Sequence, residues 1–194
     1  MVRQELVDTF CRQAEAMGAT TLRVADTQEM IKQILEFLQP RGKRVAIAIS
    51  PFLEEINLGA ILKEAGFEVE TGGQGFAREA DTGMVEFDLG IAETGTLVHD
   101  ATDLCKRLAS MLPLNCIAVL SAKRIVPDMA QALDFYLEHG PWPGYLAFVT
   151  GPSRTADIER SLTIGVHGPE NLLIVILEGK ASKEGGGNNA GGSV

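Results

Sequence analysis

Residues 172–177 read "LLIVIL", an apolar run with no polar residue at alternate positions. A strand with one wet face alternates apolar and polar; a strand covered on both faces does not. The run is far too short to span a bilayer. It therefore reads as a buried strand of a parallel sheet. Working back from it, "CIAVLS" (116–121), "GYLAFV" (144–149) and "RVAIAI" (44–49) have the same continuous character. Shorter runs, "TLRVA" (21–25), "FEVE" (67–70), "LGIAE" (89–93) and "LVHD" (97–100), complete the strand set.

Between these runs the apolar spacing changes to that of helices. Leu6, Phe10, Ala14 and Met17 form one stripe, closed by Gly18. Met30, Ile31, Ile34, Leu35 and Leu38 form a second; Asp26 with Glu29 opens it as a capping pair and Pro40 stops it. Ser50 followed by Pro51 is a helix start, and 57–65 is helical up to Gly66. Residues 71–82, rich in Gly and polar groups, read as a loop. A helix at 102–112 turns Leu104, Leu108, Met111 and Leu112 to one face, and another at 127–138 turns Met129, Leu133, Tyr136 and Leu137 inward. The alternation of β and α predicts an α/β fold, a mostly parallel sheet flanked by helices in a Rossmann-like manner, with right-handed crossovers. One domain is expected over 1–181, and a disordered Gly-rich tail over 182–194.

The 194-residue chain carries a net charge of −9, the wrong sign for nucleic acid or an anionic membrane surface. The opening "MVRQELVDTF" has no apolar signal core, so the expected compartment is the cytoplasm. Cys11, Cys105 and Cys116 are odd in number and form no C-x-x-C pair, so neither a disulfide framework nor a metal or cluster site is expected here.

In open parallel sheets, ligands bind beyond the carboxyl ends of strands. Two loops stand out there. In "AETGTL" (92–97), Glu93 precedes Thr94, Gly95 and Thr96. A glycine between two hydroxyls can turn the backbone so that N–H groups face an anion. The same residues equally suit a β-bulge or a tight hairpin. In "TGPSRTADIE" (150–159), Ser153 or Thr155 is a candidate N-cap, and Asp157 and Glu159 suit a helix start. Arg154 does not, because a cation at that end costs roughly 0.3–1 kcal/mol. It is either solvated or paired with an anion, with Glu93 or a bound ligand as candidates. His167, in "GVHGP", is a candidate proton carrier or simply a turn residue; His99 is a weaker candidate, and His139 before Gly140 reads as a helix C-terminal residue.

Four segments, "GIAETGTLV", "RLASMLP", "GPSRTADIE" and "GVHGPENLLIVIL", resemble the lactate utilization protein C family, or LUD domain, over roughly residues 85–178. The resemblance implies a fold like that of the NagB/RpiA/CoA-transferase group. It also implies membership of a bacterial system oxidising L-lactate to pyruvate. Iron–sulfur clusters are then expected only in partner subunits, with no cofactor in this chain. On this reading Glu93 and His167 move protons or orient a small anionic ligand. Thr94, Gly95, Thr96, Ser153, Arg154, Thr155 and Asp157 hold it, and no metal takes part. Two alternatives stay open. One is a stand-alone sugar-phosphate isomerase or CoA-transferase-like enzyme with Glu93 as nucleophile. The other is a non-catalytic assembly subunit for the iron–sulfur partners.

Overall fold

The apolar run at 172–177 lies in a strand, Asn171–Leu177, that is covered on both faces. Leu172, Ile174 and Ile176 enter one core, and Leu173, Val175 and Leu177 enter another. Fully burying each such side chain contributes about 1.5–3 kcal/mol. The structure is a computed structural model and describes residues 3–73, 75–156, 162–164 and 168–179.

In chain order the elements are α1 (Arg3–Ala16), β1 (Thr20–Val24), α2 (Thr27–Leu38), β2 (Arg44–Ile47), α3 (Pro51–Glu55), α4 (Leu58–Glu64) and β3 (Glu68–Glu70). Then come β4 (Thr82–Glu86), β5 (Leu89–Ile91), β6 (Thr96–Asp100), α5 (Leu104–Met111), β7 (Asn115–Ser121), β8 (Ile125–Val126) and α6 (Met129–Glu138). Last are β9 (Leu146–Val149), β10 (Arg154–Ala156), β11 (Leu162–Ile164) and β12 (Asn171–Leu177).

The main sheet has the order β1-β12-β7-β4-β2-β3, and every neighbouring pair is parallel. Residues of α1 and α5 join the core on one face; those of α2, α3 and α4 join the core on the other. The α/β, mostly parallel architecture expected from the sequence is present. A second sheet, β8-β5-β6-β9, is mixed and packs on α6 through Leu89, Ile91, Val98, Ala132 and Tyr136.

Several local expectations hold. The Asp26 carboxylate accepts from the N–H groups of Gln28 and Glu29, and the Ser50 hydroxyl accepts from Leu53. Leu6, Phe10 and Ala14 are buried on α1, as are Met30, Ile34 and Leu38 on α2.

Others are overturned. Residues 82–86 form β4, a central strand between β2 and β7 that the sequence reading passes over. Gly83 marks the reason: a Cβ there would lie 1.7 Å from the Ala109 carbonyl oxygen. Helix α5 rests directly on the strand backbone, which needs a glycine rather than a β-branched residue. The same contact turns α5: its buried residues are Ala109 and Ser110, Leu108 is partly buried against the same core, and Leu104, Met111 and Leu112 are exposed. On α6 the buried residues are Ala132 and Tyr136, and Leu137 is exposed.

No helix begins at Ser153. Residues 154–156 are β10, paired antiparallel with β11 as Arg154↔Ile164, Thr155↔Thr163 and Ala156↔Leu162. The Ser153 N–H donates to the Pro169 carbonyl at 2.9 Å and closes the base of this hairpin. Pairing with β-branched "LTI" decides the conformation, and local capping residues cannot show it. The dipole argument about Arg154 therefore lapses. The tail from 182 lies outside the described residues.

Candidate functional site

Chain order reverses at β2. From it the chain steps outward to β3, returns past it to β4, and then proceeds through β7 to β12. Ligand crevices form outside the carboxyl ends of strands near such reversals. Here a crevice of about 570 Å³ opens beyond the ends of β4 and β7, one strand on from the reversal. Ligand sites commonly have this size.

Each wall has a reason for its place. Glu86 ends β4, and Phe87 and Asp88 follow it. Asp100 ends β6, and Lys106 reaches in from α5. Ser121 ends β7, and the 3₁₀ turn Ala122–Arg124 brings Arg124 to the rim. Helix α6 closes the far side with Phe135, Tyr136 and His139.

The carboxylates are not equivalent. Asp88 Oδ2 accepts from the Asp100 backbone N–H at 2.6 Å and from the Tyr136 hydroxyl at 2.9 Å. Burial and the Asp88 charge push the Tyr136 phenol up, so it stays protonated and keeps donating. Burial pushes the Asp100 carboxyl up, but the Thr102 hydrogen bonds and the Lys106 charge outweigh it, and the net shift is downward. Asp100 Oδ1 accepts from the Thr102 N–H at 2.8 Å. Among the described residues Glu86 has no side-chain hydrogen-bond partner, and Lys106 and Arg124 are in no ion pair. The Arg124 guanidinium lies 4.8 Å over the Phe135 ring. His139 stacks on Phe135 with centroids 4.3 Å apart, and its Nδ1 is 2.8 Å from the Phe135 carbonyl oxygen. Nδ1 must carry a proton to donate to that carbonyl. The crevice thus presents two cations for an anionic group and free carboxylate oxygens for a hydroxyl.

Behind the wall lies His99. It is fully buried, its ring centroid is 4.5 Å from that of Phe87, and neither ring nitrogen has a partner. Burial lowers its pKa to about 4, so the ring is neutral.

Of the site residues expected from the sequence, Glu93, Thr94, Gly95 and Thr96 lie away from the crevice. "AETG" is the turn of the β5–β6 hairpin, with the Gly95 N–H donating to the Ile91 carbonyl at 2.9 Å. Gly95 has φ +66°, and a Cβ on it would lie 2.2 Å from the Ala14 nitrogen, so the turn is seated on α1. Glu93 and Thr94 are exposed. The Thr94 hydroxyl is 2.7 Å from that of Thr96, which is 2.8 Å from that of Thr150. That chain of hydroxyls brings the hairpin turn to the segment leading into Ser153. It stands at the opposite end of β5 and β6 from Asp88 and Asp100. The backbones of Arg154 and Thr155 run in β10; Asp157 and His167 lie outside the described residues. Among the described residues no group of three or more His, Cys, Asp or Glu side chains is placed to hold a metal ion. No described helix is long and apolar enough to cross a membrane.

The crevice escaped the sequence reading because β4 did. Once 82–86 is a strand, "EFD" falls at a carboxyl end, where charged residues carry meaning.

A family model described as LUD domain matches residues 7–177, nearly the whole described chain. The chain belongs to the LUD domain family. Among LUD relatives, "Lactate utilization protein C" of Oceanobacillus iheyensis is 28% identical over 193 residues, covering 91% of this chain and 81% of the relative. The protein of that name from Geobacillus sp. is 37% identical over 106 residues, covering 53% of this chain and 44% of its own. A solved DUF162 family protein from Deinococcus radiodurans superimposes on this LUD domain with a TM-score of 0.65 at 20% identity. It covers 91% of this chain and 99% of its own, which establishes the fold.

Proposed function

We propose that the chain is a subunit of a bacterial L-lactate oxidation system, acting in the cytoplasm, and that it binds a small hydroxy acid in the crevice beyond β4 and β7. Relatives named Lactate utilization protein C, one matched over four-fifths of its length, support the first part. The single observation that carries the second is that Lys106 and Arg124 line one cavity together with Glu86, Asp88 and Asp100. A 2-hydroxy acid has both complements: its carboxylate pairs with the cations, and its hydroxyl donates to Glu86 or Asp88. On this reading His139, which lines the same wall, takes the hydroxyl proton. Breaking the Cα–H bond of lactate releases two electrons and a second proton; this reading assigns the electrons to iron–sulfur partner subunits and the proton to solvent through the open crevice. The outward leucines of α5 favour docking to such partners.

Calorimetric titration of L-lactate and pyruvate tests the reading. Lactate is expected to bind more tightly than pyruvate, which lacks the hydroxyl. Arg124→Ala and Lys106→Ala are each expected to weaken lactate at least about tenfold, the loss of one charge-assisted hydrogen bond. Equal affinity of wild type and both variants would remove the crevice from the proposal. The hairpin residues are tested beside it. If Glu93→Gln abolished turnover of a sugar phosphate or acyl-CoA by the isolated chain, the isomerase or transferase alternative would replace this one.

A further inference from the structure

The outer edge of the second sheet is β9, and its chemistry differs from every other sheet edge in the molecule's two large sheets. Exposed edges in natural proteins are protected by charge, proline or shortness, because unpaired main-chain groups invite another strand. The main sheet follows that rule: one edge strand, β3, reads Glu-Val-Glu, and the other, β1, carries Arg23. In the second sheet, β8 is protected by having only two residues. Strand β9, Leu146–Val149, has no charge and no proline. Residues 140–153 around it carry no charge at all, in a chain with a net charge of −9.

The register tells which main-chain groups are free. The Ala101 N–H donates to the Tyr145 carbonyl at 2.9 Å, and the ladder continues as Asp100↔Leu146, His99↔Ala147, Val98↔Phe148 and Leu97↔Val149. In an antiparallel pair, alternate residues direct both N–H and C=O to the same neighbour. Tyr145, Ala147 and Val149 therefore bond β6, and Leu146 and Phe148 turn their N–H and C=O groups outward. The aromatic side chains along this edge are half exposed: Phe148 at 42%, Tyr145 at 49% and Trp142 at 52%.

We infer that β9 pairs with β9 of a second copy of this chain, antiparallel about a two-fold axis through Ala147, joining the two four-stranded sheets into one. The register sets Leu146 of one copy opposite Phe148 of the other, so each outward N–H meets an outward C=O and an aliphatic side chain meets a ring. A second copy fits better than a charged partner because β9 carries no charge of its own, and the cation beside it, Arg107, is held 4.9 Å over the Tyr145 ring. The two acidic molecules then meet along a stretch, 140–153, that carries no charge of its own.

The test is sedimentation of the full chain from about 1 to about 100 µM, beside Phe148→Lys, with amide exchange read at the same concentrations. The expected result is a dimer whose self-association weakens at least about thirtyfold in Phe148→Lys, where two like charges would flank the axis. The Leu146 and Phe148 amides should gain protection as concentration rises, while the Ala147 amide, bonded to β6, stays protected throughout. A monomer over the whole range overturns the inference. So does a dimer in which the Leu146 and Phe148 amides exchange freely, because that dimer uses another face. The exchange readout needs only the wild-type chain and decides the matter even if Phe148→Lys does not fold.

Discussion

His99 is a buried imidazole with no hydrogen bond to either nitrogen, held against Phe87. Its pKa falls from 6.5 to about 4, chiefly through burial. Between those values the unfolded chain binds a proton that the native chain refuses. The stability at stake is fully present above pH 6.5, drains away as the pH falls towards 4, and changes no further below that. The full effect is about 3 kcal/mol. His99→Phe removes both the titration and the orphan nitrogens. The variant should be at least as stable as wild type at pH 7 and should lose about 3 kcal/mol less on acidification to pH 4, measured by urea denaturation across pH. Parallel pH profiles would mean that the native ring is protonated or solvated. Nothing in "TLVHDA" announces this burial: the position follows from β6 lying inside a second sheet, which depends on pairings far along the chain.

At the scale of elements, α5 shows how a contact can override a pattern. Its leucine stripe reads as a core-facing side, yet the sheet receives Ala109 and Ser110 because Gly83 leaves no room for anything larger. Gly83→Ala should cost about 3 kcal/mol or more, since α5 must lift from the strand. Leu112→Gln should stay within about 0.5 kcal/mol. Urea midpoints of the two variants check both, and a reversed ranking would restore the leucines to the core. Elements whose burial follows their own periodicity were legible: α1 through Leu6, Phe10 and Ala14, α2 through its cap and stripe, and the continuous strands β7 and β12. β4 was not, because Gly83 breaks the strand signal to let α5 pack directly on the backbone. β10 was not, because its strand character comes from pairing with β11, which its own residues do not announce. The crevice was lost with β4, as Glu86 and Asp88 gain their meaning only from the strand that ends beside them.

Across the whole molecule, the two faces of the main sheet carry separate cores, and Cys116 sits in one of them, 1% exposed. Burial pushes its thiol up to about 12, whereas Cys11 and Cys105 are only half buried. In a Cys11→Ser/Cys105→Ser chain, a thiol reagent at pH 8 should label Cys116 only when the entire domain opens. The labelling rate should therefore follow global unfolding as denaturant is added. Fast labelling in native buffer would show that this core opens locally.

The position of β12 has a consequence for synthesis. The last strand is inserted between β1 and β7, and β1 has no other neighbour in the sheet. A nascent chain that has made everything up to Glu170 thus holds its first strand without a mate and its interior unfilled. Completion of the sheet waits for residues 171–177 to be made, and joining Thr20 to Leu173 closes a loop of about 150 residues.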